Sequence, residues 1–224
     1  MDSLIDRLNA LHSVVPHLAA TIVFIQEGEH EVRGYQREPE EHEEDYDAED
    51  LHEPYLRINY PMKIIGAGRD KTIIQSGGFK IEGTKEEKKR VDMQGMTMKG
   101  SSHCGLYSKN GLSFLCKDMT FTQCGHHGVF AWNTKGRLIN CVITQCVYCG
   151  IISGENALIE LEGDQTKVDG NGTSGNTYGM TAFDTSSTIH LLFPLTKESV
   201  STNNQDGRNY GGGGTIMVVE AFDE

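Results

Sequence analysis

Two neighbouring histidines in Gly125-His126-His127-Gly128, with Lys135 and Arg137 shortly after, are the chain's closest approach to a set for proton transfer. An imidazole can act as a base near neutral pH, and cationic side chains can hold a carboxylate or a developing charge. Such a set suits lyase or C5-epimerase chemistry on a uronate polymer. His126 or His127 would take the proton, Arg137 would stabilise charge and Lys135 would pair with the substrate carboxylate; no cofactor is expected, with calcium entering only for a lyase. Hydrolysis needs grouped carboxylates, and none are visible: Asp92 and Asp118 fall out of step with each other, while Asp184 and Asp206 stand in later loops. The ordinary reading of all these charges is solvent-facing side chains at corners of the chain.

Cys104, His127 and Cys149 recur at intervals of 23 and 22 residues, and Cys124 and Cys146 repeat 22 apart. Zinc takes four Cys or His ligands, so Cys104, His127 and Cys149 are candidates for a metal site. A row is not a tetrahedron, however, and free cysteine packs well in narrow cores, so interior packing is the favoured reading. For binding without catalysis the candidates are Tyr107, Trp132, Asn133 and Tyr148, three ring side chains and an amide beside a turn. Stacking of those aromatics for stability is the competing reading.

The elements that would position these groups follow from a repeat. GMTMKGSSHCGLYS from Gly95, DMTFTQCGHHGVFA from Asp118 and NCVITQCVYCGIIS from Asn140 align at shifts of 23 and then 22. Met98 falls on Phe121 and Phe121 on Ile143, Leu106 on Val129 and Val129 on Ile151, with Gly105, Gly128 and Gly150 at one fixed corner. Met93 sits over Cys116, and Cys116 over Leu138. Within each unit apolar residues alternate, which is strand periodicity. A unit of two or three short strands and no helix cannot bury its own inner face, but stacking makes continuous ladders. The expected fold is all-β, a right-handed parallel β-helix with coils of about 22–23 residues. Downstream, Ala157–Leu161 reads as a strand and Val168 falls 22 after Cys146. An insertion from Asp169 to Asn176 then lengthens a coil, and strands resume near Tyr178–Phe183, Ile189–Phe193 and Thr215–Val219. Residues 1–14 are expected to form an amino-terminal capping helix, with Leu4, Ile5, Leu8 and Leu11 on one face. Residues 15–224 form the single β-helix domain, with a glycine-rich loop at 203–214.

The net charge is −12, and thirteen carboxylates between Glu27 and Glu53 against Arg33 and Arg37 carry nearly all of it. This run is expected to be a solvated loop inserted at 34–54, since it lacks the ligand spacing of a calcium loop. The charge argues against a nucleic-acid partner. No signal peptide or membrane-spanning segment is visible, and six cysteines without a secretory signal point to free thiols in a reducing compartment.

Ile22-Val23-Phe24, Gly28–Val32, Leu56–Asn59 and Met62-Lys63-Ile64-Ile65-Gly66-Ala67-Gly68 with Lys71–Ile74 resemble the opening coils of pectin-lyase-like right-handed β-helix proteins. The middle coils, in phrases such as DMTFTQCG and RLINCVITQC, resemble repetitive β-helix proteins of algae and large algal viruses. The resemblance implies the fold over roughly residues 20–200 and a cytoplasmic or virion-associated location. Gly125–Gly128 resembles a Gly-His-Gly element of galacturonases, without the paired Asp residues that should precede it. Fold does not choose a function here. The expectation is a non-catalytic module binding carbohydrate or protein. The alternative is a polysaccharide-active enzyme of uronate lyase or C5-epimerase type on the lateral face, and self-assembly through stacked ends is a third option.

Overall fold

The structure, a computed structural model, describes residues 2–16, 21–32, 55–83, 89–174 and 177–220. The acidic insertion expected at 34–54 lies outside the described residues. The described residues wind into a parallel β-helix of three sheets. The first sheet has eight strands, in order Ile22–Ile25, Lys63–Gly66, Arg90–Gln94, Ser113–Lys117, Lys135–Ile139, Leu158–Glu162, Thr188–Leu192 and Thr215–Val219. The second runs from Gly28–Glu31 to Ser201–Thr202, and the third from Tyr55–Ile58 to Tyr210–Gly211, each with seven strands. Every neighbouring pair is parallel, because each strand meets its counterpart only after a full turn of the chain.

Alternation decides which side chains enter the interior. In the first sheet Val23, Ile64, Met93, Cys116, Leu138, Leu161, Leu191 and Val218 form one register column. Ile74, Met98, Phe121, Ile143 and Val168 form the column of the second sheet. Leu56, Phe79, Leu106, Val129, Ile151 and Met180 form that of the third. Nearly all are fully buried, and each large aliphatic side chain withdrawn from water contributes about 1.5–3 kcal/mol. Size is matched across coils: Phe114 lies over Gly136, where a Cβ would overlap its ring.

In the middle coils each strand is followed by a residue of left-handed backbone, which turns the chain into the next sheet. Gly95, Asp118, Asn140 and Gly163 occupy one corner, Gly100, Gln123, Gln145, Gly170 and Asn203 another, and Asn110, Asn133 and Glu155 the third, all at positive φ. Short polar side chains tolerate that conformation better than β-branched ones, and glycine has no Cβ to clash.

Cys124 and Cys146, expected to stack inside, follow two of these corner residues and are fully buried. The interior ladder continues from them as asparagine. Asn171 accepts from the Cys146 backbone N–H at 3.1 Å and donates to the Ile143 carbonyl at 2.9 Å. Asn204 in turn accepts from the Asn171 backbone N–H at 2.9 Å.

Val168 departs from its expected place: it pairs with Ile143, not above Cys146. The turn Gly163–Thr166 is longer than its counterpart Asn140-Cys141, which shifts the register downstream. The segment 203–214 is not simply a loop, for it holds a 3-10 turn at Gln205–Gly207 and the strand Tyr210–Gly211. A short helix, Lys197–Val200, also stands before it, closed by a capping box between Thr196 and Ser199.

The amino-terminal helix forms at Asp2–Val14. Ile5 enters the core at 2% exposure. Asn9 covers the open strand edge, donating to the Arg57 carbonyl at 2.7 Å and accepting from the Asn59 N–H at 3.4 Å. His12 stacks on Tyr60 with ring centroids 4.0 Å apart. At the far end Val218 points inward in register with Leu191 yet remains 46% exposed.

Candidate ligand-binding face

The outward side of the third sheet carries two register columns. One runs Arg57, Lys80, Tyr107, Phe130, Ile152, Thr181. In the other, Lys109, Trp132 and Gly154 follow one another, and Phe183 continues just past the end of its strand. Strand alternation therefore sends Tyr107, Phe130 and Trp132 to the same surface, on neighbouring or alternate positions.

The three rings share one orientation. Tyr107 and Phe130 lie 4.8 Å apart at 6°, and Phe130 and Trp132 5.6 Å apart at 7°. Parallel rings at these separations are offset, so each covers its neighbour in part, and all three stay half-buried. Phe183, 56% exposed, tilts against Trp132 at 5.5 Å. The indole is held at both ends: its ring covers Gly154, where a Cβ would overlap Cζ3, and its Nε1 donates to Glu155 Oε2 at 2.6 Å. The Glu155 backbone N–H donates to Asp184 Oδ2 at 2.6 Å. Asp184 also accepts from the Ser186 hydroxyl and N–H, and these donors, the hydroxyl first, hold its carboxyl below the usual range. Lys80 sits over the Tyr107 ring at 5.4 Å and joins Arg57 in pairing with Glu82.

Beside this face, the corner between the second and third sheets brings together imidazoles, a phenol and thiols. His126 lies 4.6 Å from Tyr148 and 4.3 Å from His127. Tyr148 thus adjoins the face through the histidines. His127 is buried, and its Nδ1 accepts from the Cys149 backbone N–H at 3.2 Å. Burial, then the neighbouring His126, pushes the His127 imidazole down to about 3. Desolvation, with His103 nearby, also lowers His126.

Cys104, His127 and Cys149 do not assemble as a ligand set. The Cys149 thiol bonds the Thr181 hydroxyl at 3.2 Å, while the Cys104 thiol lies 4.0 Å from His126 Nδ1. Among the described residues, no group of three His, Cys, Asp or Glu side chains is arranged to hold a metal ion. All six cysteines are buried thiols outside any disulfide.

The proton-transfer set is not brought together either. His126 and His127 stand at the corner before the third sheet, whereas Lys135 and Arg137 point outward from the first sheet, beyond the next corner. Arg137 is engaged there with Glu162 Oε2, through Nε at 2.9 Å and Nη2 at 2.8 Å. Residues close in sequence thus face different ways because a whole strand and a corner separate them. Asn133 serves the corner itself, with positive φ and its amide donating to Asn110 Oδ1 at 2.7 Å.

Phe130, Phe183, Glu155 and Lys109 belong to the face but were not singled out by the sequence reading. The signal for Phe130 was available, since it falls on Tyr107 at the same shift of 23 that places Val129 on Leu106. No family model, curated protein or solved structure matches the chain. Among the described residues, no helix is long and apolar enough to cross a membrane.

Proposed function

We propose that this chain is a non-catalytic carbohydrate-binding module whose contact surface is the Tyr107–Phe130–Trp132 strip. The supporting observation is the fixed indole: Trp132 lies over a glycine, is tied to a carboxylate, and adjoins two rings parallel to it. Sugars combine an apolar C–H face with a rim of hydroxyls, so a rigid aromatic strip edged by a carboxylate and an ammonium complements both parts. Rigidity matters because little side-chain entropy is then lost on binding. A protein partner would need a broader apolar centre than these half-buried rings offer.

The same reading sets the chain beside pectin-lyase-like β-helix proteins in architecture, supported by the three parallel sheets and the Gly66–Thr72 turn. It does not take up the lyase or epimerase alternative, whose four residues stand on two faces.

Trp132 is the chain's single tryptophan, so its emission reports this surface alone. Titration with the right oligosaccharide should shift that emission, and calorimetry should give the same affinity. Trp132→Ala should weaken the calorimetric affinity roughly 30-fold, the loss typical of a buried aromatic hot spot worth about 2 kcal/mol. Undiminished binding by the variant would sink the assignment.

A further inference from the structure

We infer that Trp132, Glu155 and Lys109 form one sugar subsite that accepts a neutral pyranose and rejects a uronate. The inference rests on the carbohydrate reading above and names the class of sugar it takes. Glu155 is exposed, and only its Oε2 is engaged, by the indole N–H. Its Oε1 has no donor among the described residues and is open to a sugar hydroxyl. Because Oε2 is held by Nε1, that acceptor is fixed at the edge of the indole. Lys109 is the register partner of Trp132 on the preceding coil and is exposed, so the coil opposite Gly154 carries a donor within reach of the ring. A hydroxyl can both donate and accept, and a pyranose lying on the indole offers hydroxyls to each side.

A uronate meets a different balance. Its carboxylate has no proton to give Glu155, and Asp184 places a second ionised carboxyl one coil further on, in contact with the Glu155 backbone. Two negative groups against the one lysine of the subsite oppose a polyanion. Discrimination by an unfulfilled hydrogen bond and by like charge is steep compared with discrimination by shape alone.

Calorimetry on the full chain with neutral hexasaccharides (β-1,4-linked glucose, xylose and mannose) and with hexamers of galacturonate and guluronate tests this. A chelator in the buffer prevents calcium from bridging two carboxylates. At least one neutral hexamer should bind and shift the Trp132 emission, with the uronates at least tenfold weaker. Glu155→Gln keeps an oxygen for the indole N–H while removing the charge. It should weaken neutral binding about tenfold and narrow the gap to the uronates. Uronates that bind as well as or better than every neutral hexamer would overturn the inference while leaving the carbohydrate reading intact. So would selectivity unchanged by Glu155→Gln. Native protein that binds none of the sugars, with Trp132 emission unmoved, would overturn both.

Discussion

The indole of Trp132 rests on the backbone of Gly154, its register partner on the following coil, at a distance that leaves no room for a Cβ between them. A side chain at 154 and an indole at 132 are therefore mutually exclusive in this geometry.

Gly154→Ala should displace the indole without altering it. Overpacking of this kind costs about 1–3 kcal/mol. The expected result is a lower melting temperature, a shifted Trp132 emission maximum in the unliganded protein, and oligosaccharide affinity reduced several-fold. Emission and affinity identical to the native protein would mean that the glycine does not position the ring.

His127 should make stability depend on pH. Its imidazole is neutral in the fold and is held down to about 3, against an ordinary value near 6.5. The stability it confers is complete above pH 6.5 and declines as pH falls from there towards 3, by about 1.4 kcal/mol per unit, because only the unfolded chain takes up the proton. Urea midpoints between pH 7.5 and 5 should fall more steeply for the native protein than for His127→Phe. Equal slopes would contradict the assignment.

Residues pointing into the stack were the most legible part of the chain. Met98, Phe121 and Ile143 align by eye because inward positions must be apolar in every coil, and the ladder places them as aligned. Val168 shows where such alignment fails: Cys146 plus one period lands on an apolar residue by coincidence, and two additional turn residues before Lys167 carry no hydrophobic signature. Outward positions obey no such rule. Tyr107 and Trp132 could be named, and the shift of 23 with strand alternation also sets Phe130 between them; that Glu155 grips the indole depends on which way the corner after Gly154 turns. The proximity of His126 to Arg137 in sequence misled for the same reason.

Removal of Arg137 provides the contrast. Its pairing with Glu162 is partly exposed on the first sheet, and such pairs contribute about 0–1 kcal/mol. Arg137→Ala should leave sugar affinity and Trp132 emission unchanged and lower the melting temperature by little. A large loss of binding would return the first sheet to consideration as the active surface.

Asn171→Ala attacks the interior ladder. It removes the acceptor for the Cys146 N–H and the donor to the Ile143 carbonyl, both buried. About 1–3 kcal/mol should be lost for each group left without a partner. Denaturant unfolding would show it, and a change under 1 kcal/mol would indicate that water enters in place of the amide.

Thiol chemistry should report the same packing. Burial pushes Cys141 up to about 12 and raises Cys116; the bond with Cys146, then burial, raises Cys124, while the same bond lowers Cys146, so what protects all six alike is that each is buried. A thiol reagent should label none of the six in the native protein over the time in which it labels all six in urea. Rapid labelling of any one would locate a place where the coil opens.

The corners of left-handed residues have a consequence for size. Because a strand stops and the chain turns at a local residue, spare length can be taken up inside a turn, as at Gly163–Thr166, while the strands beyond still meet their partners. A coil is thus a unit that can be copied or deleted as a whole. The flank of such a molecule works as a ruler: each added coil lengthens it by one strand spacing, about 4.8 Å, and the number of coils sets how long a polymer it can grip.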